Sequence, residues 1–153
     1  MAIIILIAVP KIIQRVMFGE SKSNIANAMT NLVNETNKDL PKQIDSVTTL
    51  TKAEFNTTTF MYRIHYTMKP GYNIKKEELN IIQENAIAQI CGGNMKLILD
   101  KNITIEYSYT FNPDGAADRE TRFTIPPTSC KWNGAGLGHS NFDDFRTLQY
   151  AFS

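Results

Sequence analysis

The sequence predicts an α+β domain of order α-β-β-α-β-β. In it, helices pack on one face of an antiparallel four-stranded sheet, and an apolar N-terminal helix precedes the domain. Three observations predict this. Residues 59–68 and 103–111 alternate apolar and polar side chains with the period of two that a half-buried strand shows. Residues 20–38 and 74–91 repeat apolar residues at helical spacing. Strands with a single apolar face suit an antiparallel sheet covered on one side.

The first helix, 20–38, places Ile25, Met29, Leu32 and Val33 on one face, and Pro41 stops it. The Thr-rich segment 47–55 reads as a strand, and Asn56-Thr57-Thr58 turns the chain. The next strand, 59–68, sets Phe60, Tyr62, Ile64, Tyr66 and Met68 against Met61, Arg63, His65 and Thr67, and Pro70-Gly71 breaks it. Asn73 is the expected N-cap of a second helix. Glu77 and Glu78 lie early in that helix, where its dipole favours acids, and Leu79, Ile82, Ala86 and Ile90 form its buried stripe. Gly92-Gly93 ends it, and 94–101 holds a short helical turn. The third strand alternates Ile103, Ile105, Tyr107, Tyr109 and Phe111 with polar residues. Asn112-Pro113-Asp114-Gly115 turns the chain into a last strand at 119–126.

The 153 residues divide into an apolar segment 1–19, a domain 20–130 and a tail 131–153. Residues 1–9 are entirely apolar, shorter than the roughly 20 residues a spanning helix needs. Three readings stand. One is a signal anchor whose upstream end is missing. Another is a short anchor over 1–18 with Lys11 and Arg15 snorkelling at its end. The third is a buried or interfacial helix. In the tail, Ser140-Asn141 before Phe142, Phe145 and Leu148 reads as a short capped helix.

Charged residues make up 20% of the chain and the net charge is +1, which argues against a nucleic-acid binder. Cys91 ends the second helix and Cys130 follows the last strand. If successive elements reverse direction, both lie at one end of the domain, as a disulfide requires. Such a bridge, closing about 40 residues, would stabilise by about 4 kcal/mol on the loop-entropy model. The alternative is two free buried thiols. A Cys-only metal site lacks nearby ligands.

No nucleotide loop, nucleophile elbow or metalloprotease helix occurs. No cofactor or metal is expected. His65 reads as a solvated sheet residue and His139 as part of a Gly-rich loop, while Asp143 and Asp144 diverge on a helix.

Leu40-Pro41-Lys42-Gln43-Ile44-Asp45, Tyr62-Arg63-Ile64-His65-Tyr66, a helix ending at Cys91, and Ile125-Pro126 before Cys130 follow one another in order. This order resembles a group of small, uncharacterised bacterial proteins. There, a signal or anchor precedes a domain with an LPxxVD-type motif and two late cysteines. The resemblance singles out Leu40, Pro41 and Asp45, implies no activity, and covers about residues 20–130, with Ile44 standing where Val is usual. The N-terminal apolar stretch and late cysteines also resemble type IV pilins, without their processing site or acidic N-terminal residue.

The leading expectation is a single-pass, membrane-tethered domain facing the periplasm or cell exterior. It would be attached to the membrane through its N-terminus and would act by contacts with an envelope protein. The alternatives are a pilin-like filament or secretion-system subunit, and a small enzyme using His65 or a free Cys91.

Overall fold

A computed structural model describes residues 21–130. Helix α1 (Lys22–Lys38) begins where the Ser21 hydroxyl oxygen accepts the Asn24 amide at 3.4 Å, satisfying one of the donors that every helix start leaves open. Its stripe of Ile25, Ala28, Met29, Leu32 and Val33 is buried, at the spacing of one helix face.

The chain then lays down β1 (Lys42–Gln43), β2 (Thr48–Asn56) and β3 (Met61–Met68) as antiparallel neighbours. Between β2 and β3 the Asn56 side-chain oxygen accepts the amides of Thr58 and Thr59 at 2.9 and 3.0 Å, an Asx-type turn. Phe60 leaves that turn at φ 52°, a left-handed conformation that costs a bulky residue of order 1 kcal/mol or more. The buried ring recovers this by packing edge-on against Phe55, with centroids 5.4 Å apart.

After β3, Gly71 turns at φ 86° and donates its amide to the Asn112 carbonyl at 2.8 Å. Helices α2 (Lys76–Gly92) and α3 (Lys96–Asp100) carry the chain back to β4 (Thr104–Phe111), which lies beside β3 and parallel to it. Then β5 (Arg119–Ile125) pairs antiparallel with β4, and a short 3-10 turn, Pro127–Cys130, follows. The N-cap of α2 is Lys75 rather than Asn73. Ile74 is drawn into the core outside the helix, and the Glu78 carboxylate reaches back to the Lys75 amide at 3.3 Å.

Two features of the expected fold are corrected. The sheet is mixed and five-stranded, in the order β1-β2-β3-β4-β5, not antiparallel and four-stranded. Alternation shows which face a residue takes but not which way the neighbouring strand runs. The α2–α3 segment is long enough to be the crossover a parallel pair needs. The extra strand is the two-residue β1, too short for any periodic signal. The element order is likewise longer than α-β-β-α-β-β, with three helices among the described residues.

The expected single-pass, membrane-tethered protein is also corrected. Among the described residues no helix is long and apolar enough to cross a membrane. The segment 1–19, its apolar helix and its membrane contact lie outside the described residues, as do the tail 131–153 with its capped helix, and His139.

Side chains from all three helices and from β2–β5 join one core. At its centre Tyr66 stacks on Tyr107 and Tyr109 at 5.9 and 5.1 Å, and Tyr107 meets Phe123 at 5.1 Å. This aromatic layer spans the β3–β4–β5 portion of the sheet and rivets the parallel pair to the last strand.

Candidate functional site

The face of the sheet opposite the core carries most of the ion pairs found among the described residues. Its geometry depends on a bulge. Leu50 pairs with Tyr66, but the register then shifts by one so that Lys52 pairs with His65. Without that extra residue, Lys52 would point into the core and Ala53 out of it. With it, Ala53 is buried opposite Ile64, and Lys52 and Glu54 turn outward.

Three adjacent rows of outward residues carry the charged groups. Glu54, Arg63, Glu106 and Thr124 form one, Lys52, His65, Ser108 and Arg122 the next, and Thr67, Thr110 and Glu120 the third. Glu106 is the anchor. Its side chain is only 5% exposed, and one carboxylate oxygen takes the Arg63 Nε hydrogen bond with Arg122 Nη1 3.9 Å away. A carboxylate this buried is tolerated only when paired. Arg122 also reaches Glu120 at 3.1 Å, and the Ser108 hydroxyl donates to the same Glu120 oxygen at 2.8 Å. On the β2 side, His65 Nε2 lies 2.7 Å from Glu54, and Lys52 Nζ lies 2.5 Å from the other Glu54 oxygen. The Lys52 hydrogen bond, then that of His65, holds the Glu54 carboxyl below the usual range. The Ser108 hydroxyl, then the Arg122 charge, does the same for Glu120.

This chemistry is that of a balanced, hydrogen-bonded contact surface. His65 has a carboxylate partner, but Ser108, its neighbour on β4, gives its proton to Glu120 rather than to the imidazole. The serine is therefore not poised as a nucleophile. Cys91 is bonded to Cys130, with Cα atoms 5.3 Å apart, so the expectation of an enzyme using a free Cys91 is corrected. No cluster of three or more potential metal ligands occurs among the described residues.

The disulfide forms because α2 and β5 both run against β3 and β4 and so finish at the same end of the domain. Cys130 is buried and Cys91 half-buried. The bridge thus clamps the second helix to the turn after the last strand.

The motif residues lie apart from the charged face. Leu40 packs partly on the core, and Pro41 is exposed just before β1. Asp45 Oδ1 accepts the Val47 and Thr48 amides, both at 2.8 Å, and so builds the β1–β2 turn. Lys52, Glu54, Arg63, Glu106, Glu120 and Arg122 are not singled out by sequence reasoning. The available signal is the shift of buried positions from Leu50 to Ala53 within one strand, together with an acid at the middle of the most apolar strand.

No protein-family model matches the chain, and no curated protein matches it. A crystal structure of a candidate secreted protein, PA3611, from Pseudomonas aeruginosa has a similar fold, with a TM-score of 0.56 over 73% of this chain and 99% of that one. The two are 13% identical, so the likeness is one of fold.

Proposed function

We propose that this chain is an exported, disulfide-clamped domain that works by binding a partner protein through the charged face of its sheet. The Cys91–Cys130 bridge carries the export reading, since such bonds persist in oxidising compartments and are rare in the cytosol. The Pseudomonas aeruginosa protein of similar fold, described as a candidate secreted one, supports it. Within this reading the Leu40-Pro41 and Asp45 pattern and the late cysteines group the chain with small exported bacterial proteins, Asp45 serving as a turn-former. No feature of the described fold favours a pilin-like identity.

Binding is favoured over catalysis because each charged group on the face is already paired. Paired charges of both signs give a partner orientation and register without committing the face to one small ligand. Two experiments test the reading. Intact cells are treated with a membrane-impermeant maleimide before and after reduction. Labelling of Cys91 and Cys130 only after reduction is expected, whereas free thiols that label only after lysis would overturn export. A photo-crosslinking residue is then placed in vivo at the exposed Thr67 on the sheet face, or at the exposed Asn34 on α1. A discrete protein adduct from position 67 alone is expected. Adducts from position 34 alone, or none from either, would overturn the assignment of the face.

A further inference from the structure

The two edges of the sheet are treated differently. Next to the short β1, the open edge of β2 is closed by Asn37 of α1. Its side-chain amide donates to the Ala53 carbonyl and its side-chain oxygen accepts the Ala53 amide, both at 2.9 Å. The β5 edge has one such cover, Gln83 of α2, which donates to the Thr124 carbonyl at 3.2 Å. In an antiparallel ladder the backbone groups of alternate residues point to the same side. Glu120 and Arg122 therefore share the outward direction of Thr124, and among the described residues their backbone groups have no partner. An open strand edge is a template for another strand.

We infer that β5 is a self-pairing edge. Two copies of the chain meet antiparallel about a two-fold axis at Thr121, joining their sheets into one. Charge selects this register. A centre at Arg122 sets Arg122 against its own copy, and a centre at Glu120 sets Glu120 against its own. Centring on Thr121 places each Glu120 opposite the other copy's Arg122, so both cross-strand pairs are of opposite sign. The same register lets Glu120 and Arg122 exchange four backbone hydrogen bonds between copies. The two Thr121 residues become a non-hydrogen-bonded pair, the arrangement in which cross-strand Cα atoms lie closest. This interface engages Glu120 and Arg122 at the margin of the charged face and leaves Lys52, Glu54, Arg63 and His65 open to a partner.

The test uses the intact, oxidised chain. Sedimentation equilibrium is expected to show a concentration-dependent dimer. Thr121→Cys is expected to cross-link two copies at least about tenfold faster than Thr124→Cys, because only position 121 meets itself across the axis. Glu120→Arg and Arg122→Glu each make the strand like-charged. Each is expected to weaken self-association about tenfold, and an equimolar mixture of the two to restore it as a heterodimer. Circular dichroism checks that each variant is folded, and the cysteine comparison stands if one is not. A wild-type chain that stays monomeric at millimolar concentration, or equal cross-linking from positions 121 and 124, would overturn the inference.

Discussion

Asp45 and Glu106 are both acids ringed by donors, yet they carry different kinds of weight. Asp45 is half-buried and organises backbone, since one oxygen holds the Val47 and Thr48 amides in the turn that allows β1 to pair with β2. Replacing it with Ala removes the acceptor for both amides and is expected to cost about 1–2 kcal/mol. Asp45→Asn keeps an acceptor oxygen and is expected to recover most of that, as read from urea midpoints. A loss in Asp45→Asn equal to that in Asp45→Ala would mean the charge, not the cap, matters. Glu106 organises side chains. Removing its nearest cation in Arg63→Ala leaves a nearly buried carboxylate facing only Arg122 at 3.9 Å, with an expected cost of about 2–4 kcal/mol. Replacing both members, as in Arg63→Met with Glu106→Leu, removes the charge and its partner together. That double variant is expected to lose less than Arg63→Ala alone, and a larger loss would show that the pair itself is a net stabiliser.

Asn37 shows how one side chain completes an element. The pairing of β1 stops after two residues, and β2 continues past it with Ala53 only 1% exposed. An unpaired amide and carbonyl there would each be costly, so the Asn37 side chain stands in for a strand. Asn37→Ala is expected to destabilise by about 2–4 kcal/mol and to speed hydrogen exchange at the Ala53 amide more than at its neighbours in β2. A uniform change across β2 would sink this account. The same element marks the limit of what the sequence reveals. The periods of β3 and β4 are legible because burial imposes strict alternation on Tyr62, Ile64 and Tyr66 and on Ile105, Tyr107 and Tyr109. The cysteine pairing is legible because both residues close elements that finish together. The bulge before Lys52 is not, because a change of phase in a Thr-rich strand looks like weak periodicity. Nor is the burial of Glu106 or Ser108, because a polar residue at an outward position reads as solvated whether or not arginines cover it. Strand direction is invisible for a further reason. Parallel and antiparallel neighbours demand the same alternation, and only the packing of the crossover decides between them.

At the scale of the whole molecule, stability is tied to the tyrosine layer. Tyr62, Tyr66, Tyr107 and Tyr109 are each no more than 2% exposed, and burial pushes all four phenols above their ordinary range. A group whose folded pKa is raised stabilises the fold fully below its unfolded pKa, near 10, and loses that contribution as pH rises further. Glu54 and Glu120 act with the opposite sign. Their folded pKa values are lowered, so their contribution holds above the ordinary Glu range and fades as pH falls through it. Both are more than a third exposed, which limits that acid-side loss to a few tenths of a kcal/mol. The contribution of these two carboxylates should therefore be shallow in acid, and that of the four phenols steep in alkali. With four phenols taking part, stability should fall by up to about 5 kcal/mol per pH unit above pH 10. The four are expected to ionise together, in one step coincident with loss of far-ultraviolet circular dichroism. Removing the Cys91–Cys130 bridge, worth about 4 kcal/mol on the loop-entropy model, should then move that step down by somewhat less than one pH unit. Phenolate absorbance followed alongside circular dichroism, in the native chain and in the Cys91→Ala, Cys130→Ala double variant, decides the matter. Gradual ionisation of the buried tyrosines before the secondary structure is lost would mean that the layer opens locally, and that the core does not unfold as one unit.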